Sequence, residues 1–231
     1  MNNSVNITTK SIKKSFTHKE KIMVNVNIEY PIINLAKDSN VKMKMNIQFI
    51  KVANSFYNYA LNTLLPNAIE QYEASIKQDY PFNPYEAFMK YTITLNDNCT
   101  LSTYYDQYEY TGGAHGMTIR SSDTFNLQNG NIIKLKDIFK ENPNYKSMII
   151  KELQTEADKN LAENPGIYFD NYKALIIENF NENNFYLTSK TINFYYQQYD
   201  IAPYSSGIVT FAIPYENLKI KSPECTFTKK K

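Results

Sequence analysis

The chain has 231 residues, with 25 basic and 23 acidic residues spread along it for a formal charge of +2, and 42% aliphatic and aromatic residues against 21% charged. That composition supports a folded core, excludes a disordered chain, and gives no electrostatic footprint for nucleic acid. Only two histidines (His18, His115) and two isolated cysteines (Cys99, Cys225) are present, which removes most routes to a His/Cys metal centre, since such a site takes about four ligands, and no cofactor is expected. The cysteines read either as one disulfide across a long loop or as two buried thiols. The terminal run Lys229, Lys230, Lys231 reads as a solvated tail.

Residues 1–16 are polar and no apolar stretch approaches the roughly 20 residues of a membrane span. As written, the chain shows neither leader nor anchor, which suits a cytoplasmic protein or an ectodomain that begins at an added Met. From Lys21 to Ile33 the residues Ile22, Val24, Val26 and Ile28 alternate with Met23, Asn25, Asn27 and Glu29, predicting a strand with one buried face. Near Met45 the period changes. Ile47, Ile50, Ala53, Tyr57, Ala60, Leu61, Leu64, Ala68, Tyr72 and Ile76 recur at helical spacing, and Pro66 predicts a kink.

After the breakers at Pro81 and Pro84, strands are predicted at 87–96, 99–110 and 117–127, with turns at Asn96-Asp97-Asn98 and Thr111-Gly112-Gly113. Asn142-Pro143 opens a helix that should stop by Asn164-Pro165-Gly166. A shorter helix at 170–180 and strands at 184–187, 191–199 and 207–214 complete the chain. This order predicts an α+β fold: an antiparallel sheet packed by one long and one or two shorter helices.

Two segments stand out. One is Tyr105-Asp106-Gln107-Tyr108-Glu109-Tyr110-Thr111-Gly112-Gly113-Ala114-His115-Gly116; the other runs from Phe185-Tyr186-Leu187 through Phe194-Tyr195-Tyr196-Gln197-Gln198-Tyr199-Asp200-Ile201-Ala202-Pro203-Tyr204 to Gly207, before Ile213-Pro214-Tyr215. In order and spacing they resemble the paired extracytoplasmic domains of the anti-sigma factor RsiV and of the region preceding the catalytic domain in the peptidoglycan deacetylase PdaC. The likeness runs from about Lys21 to Leu218. It implies two closely associated α+β subdomains, at residues 18–111 and 112–220, in a protein that works outside the cytoplasm.

The resemblance also implies recognition rather than catalysis. RsiV-like ectodomains bind lysozyme, and the PdaC-like unit accompanies the deacetylase domain without supplying its chemistry. The expected partner is therefore a protein such as lysozyme or, alternatively, cell-wall glycan; a hydrolase with an unrecognised site is the remaining reading. Within the residues, His115 among glycines has no catalytic partner at a diagnostic spacing, so Gly112, Gly113, His115 and Gly116 read as structural, with Gly113 expected to need a backbone closed to β-branched residues. Asp106 and Glu109, three apart on a strand, point to opposite faces and form no carboxylate pair there. Twenty tyrosines and no tryptophan draw attention to Tyr195, Tyr196, Tyr199 and Tyr204 around Asp200, Pro203 and Ser205, which read either as a partner surface or as hairpin packing.

Overall fold

A computed structural model of the chain describes residues 4–34, 40–140, 142–221 and 223. The α+β class holds, with a five-stranded sheet of order β1-β2-β3-β4-β5 and a three-stranded sheet of order β6-β7-β8. The chain clusters into two compact units. One comprises Asn6–Tyr91 and Tyr105–Ile119; the other comprises the described residues of Met1–Val5, Thr92–Tyr104 and Arg120–Lys231. A single cut at 111/112 does not describe this partition, because β3 (Tyr85–Asp97), β4 (Thr100–Tyr110) and β5 (Met117–Asn126) each contribute residues to both units.

The first unit begins with a strand that hydrophobic periodicity does not reveal. β1 (Asn6–His18) pairs antiparallel with β2 (Lys21–Asn34) through a two-residue turn, Lys19-Glu20, whose φ values of 48° and 64° suit the right-handed twist of a hairpin. β1 lies at the sheet edge, and none of its side chains is fully buried. In β2, Val24, Val26 and Ile28 are buried as the alternation predicts; Ile22 is not, and Met23 is. Pro31 is tolerated because it pairs with Thr9 beyond the five residues, Val24 to Ile28, that β2 shares with β3.

The β2–β3 pairing is parallel, so the sheet is mixed rather than wholly antiparallel. The long helical segment between these strands provides the crossover that parallel neighbours require. It consists of α1 (Asn40–Tyr59), a π-helical turn at Ala60–Leu64 and α2 (Leu65–Gln78). The irregularity predicted at Pro66 takes the form of this π-turn. The Leu65 N–H reaches back five residues to the Ala60 carbonyl, just ahead of the proline that can donate no hydrogen bond. Ala60, Leu64 and Ala68 continue the buried stripe of Met45, Phe49, Ala53 and Phe56. Asn46 fastens the helix to the sheet, accepting from the Ile33 N–H at 2.8 Å and donating to the Ile33 carbonyl at 3.1 Å.

The β3–β4 turn is Asn98-Cys99, two residues later than the predicted start, with φ values of 49° and 59°. Cys99 is disulfide-bonded, which decides between the two readings for this residue; Cys225 and the lysine run lie outside the described residues.

The second unit packs α4 (Tyr145–Glu163) and α5 (Tyr172–Glu178), preceded by the single turn α3 (Leu135–Ile138), with β6 (Phe185–Leu187), β7 (Thr191–Tyr196) and β8 (Val209–Pro214). α4 starts two residues after Pro143 because Asn142 forms a side-chain turn, accepting from the Asn144 N–H at 2.9 Å. The central strand β7 is buried continuously from Ile192 to Tyr196, as a strand covered on both faces must be. Hydroxyls tie the ends of β4 and β5 to this sheet: Ser102 Oγ lies 2.8 Å from Thr124 Oγ1 and accepts from the Leu187 N–H at 2.9 Å.

Candidate recognition site

Of the seven residues that the sequence suggests for partner binding, two are buried, and the other five, Asp200 among them, are exposed or half-buried. Tyr195 and Tyr196 are 2% and 1% exposed. A ring so buried offers no area to a partner, so these two are corrected to supporting residues. The Tyr196 hydroxyl donates to the Ile176 carbonyl at 2.9 Å, and its ring meets Phe211 edge-on at 6.0 Å. Burial, with the Asp200 carboxylate adding to it, pushes this phenol well above its ordinary value. The Tyr195 hydroxyl lies 3.0 Å from Ser122 Oγ, and its ring stacks on Tyr186 at 6.4 Å.

Tyr199, Pro203, Tyr204 and Ser205 remain at the surface or half-buried, on the loop between β7 and β8. Tyr199 is 46% exposed and sits at φ 69°; its ring centroid is 5.9 Å from that of Tyr204. The loop beneath them is held at many points. Asp200 Oδ2 accepts from the Gln197 N–H at 2.7 Å, and the Asp200 carbonyl accepts from Asn179 Nδ2 at 2.8 Å. Burial raises the Asp200 carboxyl above the ordinary range, and the Gln197 N–H partly offsets this. Ile201 and Ala202 plug into the core. Ser206 Oγ donates to the Ile167 carbonyl at 2.8 Å, and Gly207 closes the Tyr204–Ser206 turn at φ 64°, a backbone that favours glycine.

Residues that sequence reasoning missed provide the rest of the support. Gln197 pairs with both backbone groups of Arg120, accepting its N–H at 2.9 Å and donating to its carbonyl at 2.7 Å. The Arg120 guanidinium lies 3.9 Å above the Tyr104 ring and 5.9 Å from Tyr195. Arg120 is the chain's one arginine, a signal that composition does contain.

The glycine motif lies in the first unit. Gly112 takes φ 84°, and a Cβ there would approach the Gln71 side chain to 3.3 Å. A Cβ on Gly116 would lie 2.3 Å from the Glu109 carbonyl oxygen and 2.4 Å from the Tyr108 ring. Gly113 has no positive φ and open space around it, so the steric demand expected of it belongs to Gly112 and Gly116. His115 is exposed, with Nδ1 3.3 Å from the Gly116 carbonyl. Among the described residues no group of three or more His, Cys, Asp or Glu side chains could hold a metal ion, and no helix is long and apolar enough to cross a membrane.

These features define a two-module α+β chain that presents a braced aromatic loop. Residues 17–118 match the family described as Deacetylase PdaC, and residues 136–216 match a protein family of unknown function, DUF3298; the chain carries the PdaC-like pair of domains. It is 24% identical over 210 residues to the peptidoglycan-N-acetylmuramic acid deacetylase PdaC of Bacillus subtilis (strain 168), a match covering 87% of this chain and 44% of that protein. Two crystal structures share the fold. A DUF3298 family member from Bacteroides fragilis NCTC 9343 has a TM-score of 0.75 at 23% identity, covering 96% of each chain. A DUF3298 family protein from Pseudomonas aeruginosa PAO1 has a TM-score of 0.63 at 18% identity, covering 95% of this chain and 96% of its own.

Proposed function

We propose that the chain is a noncatalytic accessory module of a PdaC-like protein, working outside the cytoplasm and binding cell-wall glycan through the Tyr199–Tyr204 loop. The observation that carries this reading is the pair of rings 5.9 Å apart on a loop held by Asp200, Gln197, Asn179 and Ser206. Rigid tyrosines supply flat C–H-binding faces with polar tips at little entropic cost, and the bracing places that cost in folding rather than in binding. The name of the Bacillus subtilis relative supports glycan as the neighbouring substrate, although the matched part is less than half of that protein.

A protein partner such as lysozyme is the second reading. It is favoured by the suitability of the same tyrosines as an interface centre. Co-sedimentation with purified peptidoglycan and capture on immobilised lysozyme separate the two. Retention by the wall without lysozyme capture is the expected result. Capture by lysozyme alone favours the second reading, and release of soluble products from the wall overturns the noncatalytic assignment.

A further inference from the structure

The unit of Asn6–Tyr91 and Tyr105–Ile119 holds a groove of its own, about 350 Å³ in volume, lined by Ser55, Phe56 and Tyr59 at the end of α1, Gln107 and Glu109 on β4, and Ile119 on β5. Gln107 and Glu109 are two apart and share one face of their strand. Phe56 and Tyr59 stack at 6.3 Å with 17° between the rings; Tyr59 is 37% exposed and Ile119 55% exposed, so the apolar wall is open to a ligand. The Tyr59 hydroxyl donates to the Glu109 carboxylate. Burial, followed by this bond and the charge of Glu109, raises the phenol to about 12, so it stays a donor over the whole physiological range. The π-turn starts at the residue after Tyr59, and such turns occur frequently at functional sites.

We propose that this groove is a second glycan subsite, which takes one hexopyranose unit with its C–H face against Tyr59 and Ile119 and its hydroxyl or amide groups on Glu109 and Gln107. The volume is at the small end of the usual range for ligand sites, about 300–1,000 Å³, and suits a single-ring ligand. The polar wall holds a carboxylate, an amide and hydroxyls, a mixture of donors and acceptors that matches a neutral polyol. None of the six lining residues is cationic, so an anionic ligand has no counter-charge there.

The proposal rests on the glycan reading given above, and its test uses the full 231-residue chain with a soluble tetrasaccharide of N-acetylglucosamine, followed by heteronuclear NMR. Addition of the tetrasaccharide should shift the backbone amides of Gln107, Glu109 and Ile119. Tyr59→Ala should weaken binding about tenfold, the scale of a truncated aromatic contact, and Glu109→Gln should weaken it less. Ile119→Ser, at an exposed position, keeps the test open if Tyr59→Ala fails to fold, and it too should weaken binding. If the loop amides around Tyr199 and Tyr204 shift while the groove amides do not, the groove proposal is overturned and the accessory-module reading stands. If neither set shifts and the chain also fails to sediment with peptidoglycan, both are overturned. Groove shifts seen with a lysine-containing dipeptide but not with the tetrasaccharide also overturn it, because Glu109 would then be serving a cation.

Discussion

The Tyr196 hydroxyl donates to the Ile176 carbonyl at 2.9 Å inside the core, joining the last residue of β7 to α5 directly under the candidate loop. Removing that hydroxyl leaves a buried carbonyl without its donor. Tyr196→Phe is therefore expected to lower folding stability by about 1–2 kcal/mol. Tyr196→Ala, which also opens a cavity, should cost about 3–5 kcal/mol. Urea denaturation of the two variants checks both figures; a Tyr196→Phe protein as stable as the parent would remove this hydrogen bond from the account.

The glycine motif gives three distinct expectations. Gly116→Ala forces a Cβ against the Glu109 carbonyl and should lose about 1–3 kcal/mol, the scale of overpacking. Gly112→Ala should lose about 1–2 kcal/mol because its left-handed φ disfavours a side chain. Gly113→Ala should change little. Thermal midpoints that fall in the order Gly113→Ala, Gly112→Ala, Gly116→Ala agree with this geometry, and a large loss at Gly113 disagrees with it.

Asp200 makes a pH-dependent contribution of the opposite sign to that of a salt-bridged carboxylate. Its folded carboxyl is raised by burial, so the native state holds the proton to higher pH than the unfolded chain does. Stability from this group is fully present below the ordinary carboxylate value and is lost as pH rises through the raised one. Asp200→Asn keeps an oxygen for the Gln197 N–H and has no charge to bury. It should be more stable than the parent at pH 7, with the difference vanishing in acid. Parallel stability curves from pH 3 to pH 7 would contradict the assignment.

The elements most legible in the sequence are those whose own side chains carry the pattern. β2 and the α1–α2 segment show their periods because one face of each is buried. β1 was hidden because it gains its place through backbone pairing at an edge, where Ile7, Ile12 and Phe16 need not alternate. The direction of β2–β3 pairing was equally hidden, since the crossover and not either strand decides it. At the candidate site the sequence marks a tyrosine-rich segment, yet it cannot separate Tyr195 and Tyr196 from Tyr199 and Tyr204. The first pair ends a strand buried on both faces, and the second lies on the loop beyond it. Tyr59 and Glu109 are fifty positions apart on a helix and a strand, a juxtaposition that no local spacing encodes.

The surface role of the loop is measured most directly on Tyr204→Ala, by determining its affinity for peptidoglycan and its folding stability on the same preparation. A partner-facing ring should lose about 2 kcal/mol or more in binding, roughly thirtyfold in affinity. Its folding stability should change by no more than about 1 kcal/mol. Unchanged affinity together with a stability loss of about 3–5 kcal/mol would make Tyr204 a packing residue and contradict the loop as a recognition surface.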